Sequence, residues 1–252
     1  MSFTVAADAY DRFMGRYSAP LAPVFAEFAG VADGYRVLDV GCGPGALTAE
    51  LVRRVGAGSV TAVDPSQPFV AALQARHPDV EVHRAGAEDL PFEDGAFDAA
   101  LAQLVVHFMA APVVGLRTMA RVTRDGGLVA ACVWDHAAGG GPLSGFWEAA
   151  HEVDPSIEDE SKLAGAREGH LGELFREAGL RRVEEGSLSV AVKHPTFEEW
   201  WEPYTLGVGP AGAFVAGLQA ETRAELRERC RELLPAAPFV VSARAWVARG
   251  LA

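Results

Sequence analysis

The sequence is short of cysteine pairs, of positive charge and of long apolar runs, and each shortage removes a class of protein. Its three cysteines, Cys42, Cys132 and Cys230, stand far apart without a C-x-x-C pair and read as reduced, small hydrophobic residues. The histidines show no metal-ligand spacing, so no metal is expected. A net charge of −12 lacks the broad basic footprint that DNA or RNA binding requires, and no nucleic-acid partner is expected. The N-terminal MSFTVAADAYDRFMGRY has no long apolar core, which argues against a secretory signal. LGVGPAGAFVAGLQA, the most apolar late stretch, is too short and too rich in Gly and Pro to span a membrane. A soluble cytoplasmic protein without a membrane partner follows as the expectation. Internal repeats and low-complexity tracts are lacking too. Half of the 252 residues are hydrophobic and 22% are charged, the composition of an ordinary globular protein of one large or two small domains.

What the sequence does have is concentrated in VLDVGCGPGALTAEL, residues 37–51. A short apolar strand runs through a glycine-rich turn directly into a helix. Gly41, Gly43 and Gly45 leave the turn without side chains, and free amides at the following helix N-terminus suit polar or anionic ligand groups. Gly41, Gly43 and Ala46 fit the dinucleotide pattern G-x-G-x-x-G/A, whereas Gly41, Gly43 and Gly45 fit a G-x-G-x-G turn. Asp64, 23 residues past Gly41, ends a second strand where an acid suits ribose hydroxyls. Nicotinamide and S-adenosylmethionine sites would both use these features. Asp39 separates them. A carboxylate just before the glycines repels a pyrophosphate and attracts the ammonium of a methionine moiety. The plainer alternative, a structural Asp39 satisfying loop amides, is compatible with the same ligand.

Strands and helices alternate through the first half: RVLDV, the helix ALTAELVRRV with Leu47, Leu51 and Val55 at helical spacing, then SVTAVD. Ser66 and Pro68 start a helix through PFVAALQARH. VEVHR, FDAALAQLVV and LVAACVW read as further strands, with a helix near PVVGLRTMARV and a turn at Asp125, Gly126 and Gly127. Nearly continuous apolar strands separated by helices indicate a parallel sheet covered on both faces. In the second half GHLGELFREAGL is a helix ended by Gly179. RRVEEGSLSVAVKH and FVVSARAWVARGL are strands able to pair antiparallel at the sheet edge. The expected organisation is one domain over 1–252: an N-terminal lid at 1–36, a cofactor-binding core at 37–135, cap insertions at 136–165 and 196–238, and a terminal edge strand at 239–252. The later insertion, about 40 residues long, is too short for a core of its own.

Taken in order, LDVGCGPG, VDPS, AEDLPFEDGAFDAAL and TRDGGLV resemble the class I S-adenosylmethionine-dependent methyltransferases, in particular their small-molecule, methyltransferase type 11-like branch. The resemblance is strong over roughly residues 37–135. It implies a Rossmann-like α/β fold with a seven-stranded, mostly parallel sheet, helices on both faces, an antiparallel last strand and helical cap insertions. The implied cofactor is S-adenosyl-L-methionine, with S-adenosyl-L-homocysteine as product. By resemblance, Asp39, Gly41, Cys42 and Gly43 line the methionine end, Asp64 takes the ribose hydroxyls, and Pro65 and Ser66 shape the adjoining wall. Ala87 and Glu88 match the adenine position, where Gly86 replaces the acid or amide often found one place earlier. Gln103 ends the fourth strand beside the cofactor. Arg16 is a candidate for the methionine carboxylate, since a guanidinium grips a carboxylate bidentately, and Tyr10 or Tyr17 for the lid.

Methyl transfer from a sulfonium is an in-line displacement with a good leaving group, so alignment and exclusion of water supply most of the effect. A general base is optional. His107, just past the fourth strand, is the candidate, because catalytic groups gather at strand C-termini in open sheets; Asp135 and His136 rank below it. Phe146, Trp147, Trp200, Trp201 and Tyr204 suit either a pocket for an apolar or aromatic acceptor or the anchoring of the cap. The leading reading is a methyltransferase for a small-molecule acceptor, monomeric or homodimeric. The alternatives are an S-adenosylmethionine-binding regulatory or interaction protein without turnover and, third, an NAD-dependent oxidoreductase.

Overall fold

A computed structural model describes residues 7–252; residues 1–6, part of the expected lid, lie outside the described residues. The chain enters through α1 (Ala7–Tyr10), a π-helical turn at Asp11–Gly15 and α2 (Arg16–Ala29). It then alternates through β1 (Val37–Val40), α3 (Ala46–Val55), β2 (Val60–Asp64), α4 (Gln67–Arg76), β3 (Glu81–Arg84), β4 (Phe97–Gln103), α5 (Pro112–Val122) and β5 (Thr123–Trp134). The second half adds α6 (Ser144–Val153), α7 (His170–Glu177), β6 (Arg181–His194), α8 (Phe197–Trp201), α9 (Gly209–Gly217), α10 (Ala220–Leu233) and β7 (Phe239–Leu251).

The seven strands form one sheet in the order β3-β2-β1-β4-β5-β7-β6. Strands β3, β2, β1, β4 and β5 run parallel, and β7 lies antiparallel between β5 and β6. The antiparallel pairing expected of the last two strands is therefore present, but the segment 239–252 is not the edge strand expected of it: β7 pairs on both sides, with β5 and β6, and β6 forms the edge. Order reverses at β1, which has β2 on one side and β4 on the other, and ligands of open sheets bind in the crevice at such a switch point.

Both faces of the central strands are apolar because both are covered. Val37, Leu101, Ala130 and Cys132 face α2, α3 and Leu73 of α4, whereas Leu38, Val40, Ala100, Val129 and Ala131 face α5 and α7. Alternate residues thus enter different cores, which is why the strands read as unbroken hydrophobic runs. α2 belongs to the covering layer, since Tyr17, Leu21, Phe25 and Ala29 are buried in the first of these cores, so only the segment before it is free to act as a lid. A third cluster holds the cap together, joining Phe146 and Trp147 of α6 to Trp200, Trp201, Tyr204, Leu226 and Cys230. Among the described residues no helix is long and apolar enough to cross a membrane.

Two boundaries differ from the sequence reading. FDAALAQLVV does not continue as strand to Val106, because Leu104 turns the backbone with φ of 63° and a 3-10 turn follows at Val106–Phe108. Asp125, Gly126 and Gly127 belong to β5 rather than preceding it. They form an irregularity in the β4–β5 ladder, whose register jumps from Phe97↔Thr123 to Ala99↔Leu128.

Candidate cofactor site and acceptor cavity

At the carboxyl end of β1 the chain turns sharply, and the amides of Gly41 and Cys42 both donate to the Val63 carbonyl, at 2.8 and 3.0 Å. The glycines serve different ends. Gly41 has φ of 70°, and a Cβ there would stand 2.4 Å from Cγ2 of Val105. At Gly45, with φ of 107°, it would stand 2.5 Å from Cδ1 of Leu73. A Cβ on Gly43 would meet nothing within 4 Å, so this glycine alone opens onto free space. The first two are glycine for packing and conformation, and the third leaves room for a ligand.

That space is a cavity of about 560 Å³, the size of a small-molecule site. Tyr10, Gly41, Gly43, Asp64, Pro65, Ser66, Ala87, Glu88 and Gln103 line it, all of them marked in the sequence. Phe69, Arg84, Val105, Phe108 and Met109 also line it and were not marked. The only local hint was the apolar VVHFM run directly after β4.

Asp39 lies beneath the turn, 1% exposed, and its Oδ2 accepts a 2.6 Å hydrogen bond from the Thr48 hydroxyl. Burial pushes its carboxyl up to about 7, opposed by the Thr48 bond and reinforced by the nearby Asp64. Asp64 accepts from the amides of Gly43 (2.9 Å) and Ser66 (2.8 Å), one on each oxygen. These bonds hold its carboxyl down against a larger upward push from burial. Each oxygen keeps a second lone pair for a ligand. Gln103 donates from Nε2 to the Ser18 carbonyl at 3.0 Å, while its Oε1 is buried with no partner. Glu88 accepts from the Ala111 amide at 3.3 Å.

Cys42 packs into the core, and burial, with Asp39 and Asp64 nearby, keeps its thiol protonated. Arg16 points away from the glycine turn. It donates to the Glu199 carbonyl at 2.8 Å and contacts Nδ1 of His194 at 3.2 Å. A guanidinium only donates, so Nε2 of His194 carries the proton and donates to the Tyr17 hydroxyl at 2.9 Å. Arg16 and Tyr17 thereby tie α2 to the end of β6 and to the cap. Tyr10 contacts Phe69 edge-on at 5.4 Å, and burial beside Asp64 and Asp11 keeps its phenol protonated. Arg76 binds Asp11 (2.6 Å) and the Pro44 carbonyl (3.1 Å), holding the segment before α2 against the turn.

A second cavity of about 40 Å³ adjoins the first, and Tyr10, Leu104 and Phe108 line both. Leu104 is one of two non-glycine residues with positive φ among the described residues, which concentrates backbone strain where the cavities meet. His107, His136 and Glu160 provide the smaller cavity's polar wall. Burial, with His136 beside it, drives His107 well below its ordinary 6.5, and burial lowers His136 to about 4, so both rings are neutral. Glu160 is pushed up to about 7 by burial, against a 3.1 Å bond from the Trp147 indole. Asp135, fully buried, is structural: Arg244 holds its Oδ2 from Nε (3.0 Å) and Nη2 (2.5 Å). Trp147, Trp200 and Trp201 line neither cavity; they pack in the cap, where Tyr204 stacks on Phe146 at 4.5 Å.

Comparison with known proteins decides between the two nucleotides. Residues 38–131 match the methyltransferase domain family of type 11. Over that stretch the chain is similar to the S-adenosylmethionine-dependent methyltransferases. It is 39% identical over 100 residues to a probable phthiotriol/phenolphthiotriol dimycocerosates methyltransferase 2 of Mycobacterium ulcerans, covering 39% of each chain. It is 38% identical over 98 residues to a demethylmenaquinone methyltransferase of Beutenbergia cavernae, covering 39% of this chain and 40% of that one. The match thus spans about two fifths of the length of these curated relatives. Among solved structures, phosphoethanolamine N-methyltransferase 2 of Haemonchus contortus, in complex with S-adenosylhomocysteine, shares the fold. Its TM-score is 0.60 at 18% identity, over 97% of this chain and 56% of that one.

Proposed function

We propose that the protein transfers a methyl group from S-adenosylmethionine to a small, apolar or aromatic acceptor by in-line displacement. The observation that carries this reading is the pair of adjoining cavities: a large one under the glycine turn and a small one under the cap, both lined by Tyr10, Leu104 and Phe108. The residues of the larger cavity fit the cofactor. Gly43 opens it, Asp64 offers free lone pairs at the rim, Asp39 sets a buried acid behind the turn, and Gln103 presents an unpartnered buried oxygen. Gln103 would hold the ammonium end, with Asp39 acting on it only through charge from behind the turn, Asp64 the ribose, and Ala87 and Glu88 the adenine. When bound, S-adenosylmethionine supplies an electrophilic methyl group.

The chain's own part is alignment and dryness. Tyr10, Leu104 and Phe108 line both cavities, and packed against a bound donor they would keep bulk water from the reacting atoms. His107, held neutral, contributes an unprotonated nitrogen at the acceptor end. About 40 Å³ admits little more than a few waters, so the acceptor enters only when the cap or the segment before α2 moves. One domain, with that segment as lid and the helices α6 and α8–α10 as cap, is the organisation this requires. The relative named for demethylmenaquinone supports a quinone-type ring among the acceptors to try first.

The test has two stages. Calorimetry with S-adenosylmethionine, S-adenosylhomocysteine and NAD should show binding of the first two; binding of NAD alone would overturn the reading. Labelled methyl groups should then pass to members of a panel of quinols and phenols. Binding without transfer to the panel or to a metabolite extract would leave a binding protein without turnover in its place.

A further inference from the structure

Three side chains from three separate segments converge on the wall of the small cavity. His107 comes from the 3-10 turn after β4, His136 from the loop leaving β5, and Glu160 from the 3-10 turn Glu160–Lys162. One donor atom of each lies within 4.8 Å of the other two. For three such atoms there is always a point no more than about 2.8 Å from any of them, so small side-chain shifts bring all three to the roughly 2.0–2.2 Å of a zinc–nitrogen or zinc–oxygen bond. Nδ1 of His107 and Nε2 of His136 are buried without any hydrogen-bond partner. Buried polar atoms are nearly always paired, and a site for an ion is one of the standard reasons for an exception.

The surroundings point the same way. Glu160 is 4% exposed, and its one hydrogen-bonding side chain here is the neutral indole of Trp147. Neither lysine nor arginine lines the cavity among the described residues, so the site has a buried carboxylate with no cationic side chain facing it. Its turn is held from outside, by Asp159 accepting from the Ser161 amide (2.9 Å) and meeting His151 (3.0 Å). Anchoring of a ligating carboxylate by an indole and by its own turn is the usual form of support behind a metal ligand.

We infer that His107, His136 and Glu160 form a binding site for a divalent transition-metal ion at the acceptor end of the cavity. Two imidazoles and one carboxylate suit zinc or iron(II) and not magnesium or calcium, which take oxygen ligands. Three protein ligands leave a position open towards the cavity, as in metal sites that bind water or substrate. The ligand class for that position is an oxygen donor, such as a phenol or enol hydroxyl of the acceptor. This last step rests on the methyl-transfer reading; the metal site does not.

The full chain, stripped with a chelator and loaded with zinc, should retain about one ion per chain after gel filtration. Cobalt(II) in its place should give the visible absorption of a low-symmetry site, and magnesium should not compete. His136→Ala and Glu160→Gln should each weaken zinc binding by more than the roughly 10–100-fold typical of changes to supporting residues, with circular dichroism reporting the fold. Zinc retained equally by the double variant, as by surface histidines, would overturn the proposal, and so would no retention by the wild type. S-adenosylhomocysteine binding, measured on the same samples, separates the two readings. Binding without metal removes this site alone, and metal without binding removes the proposed function alone.

Discussion

Replacing Asp39 by asparagine should make the ligand-free protein more stable, increasingly so as the pH rises. In the unfolded chain this carboxyl titrates near 3.8, and in the fold near 7, chiefly because it is buried. A folded-state value above the unfolded one means that the fold holds the extra proton between the two. Stability is therefore greatest at low pH and falls through this window by about 1.4 kcal/mol per unit, levelling above the folded value. Asp39→Asn removes the titration and keeps an oxygen to accept the Thr48 hydroxyl. Relative to the wild type, the variant should gain about 2–3 kcal/mol between about pH 5 and pH 8. At about 2–4 °C per kcal/mol for a domain of this size, the gap in Tm widens by roughly 5–10 °C. Urea denaturation of both ligand-free proteins across that range measures it. Parallel stability curves, or a gap that narrows with rising pH, would refute the reasoning. The same substitution removes a buried charge that attracts an ammonium from behind the turn. Above about pH 7, where the wild-type carboxyl is ionised, S-adenosylmethionine should therefore bind more weakly to the variant than to the wild type, as calorimetry would measure.

The two central glycines of the turn should part company under substitution. Gly43→Ala should stay folded at a cost of about 1–2 kcal/mol for its backbone and lose cofactor affinity in calorimetry; Gly41→Ala should lose more stability, and Val105→Ala should restore part of it. Equal losses from the two alanines in a denaturation series would contradict the packing argument. Arg244→Ala should destabilise by about 3 kcal/mol or more, since it strands the buried Asp135 carboxylate, and Arg244→Lys should recover only part, because an ammonium cannot reproduce the two guanidinium bonds. A midpoint unchanged by Arg244→Ala would show Asp135 to be satisfied by other means.

Legibility followed chain distance. β1, the glycine turn and α3 are consecutive, so the residues that shape the cofactor cavity stood together in LDVGCGPG, and Asp64 followed at the end of the next strand. The apolar runs of β4 and β5 revealed a doubly covered sheet because each strand feeds two cores. What stayed hidden came from contacts across the chain. Nothing near Gly41 shows that Val105 fills the space above it, or near Arg16 that His194 and Glu199 draw it towards the cap. The Trp200–Trp201 pair reads equally as pocket or as packing until its neighbours are known. His107, His136 and Glu160 have no spacing to read, because three turns from different parts of the chain bring them together.

The cap's apolar cluster borders the sheet core through Met14 and Val241 and is otherwise distinct from it. Such a unit can come loose and reseat while the strands stay paired. On the proposed reading, damage to it would show first as a door that stands open too often, admitting water to the reacting atoms, and only later as unfolding. By the same separation, substitutions at Trp200 or Tyr204 would be repacked within the cap while the glycine turn keeps its shape.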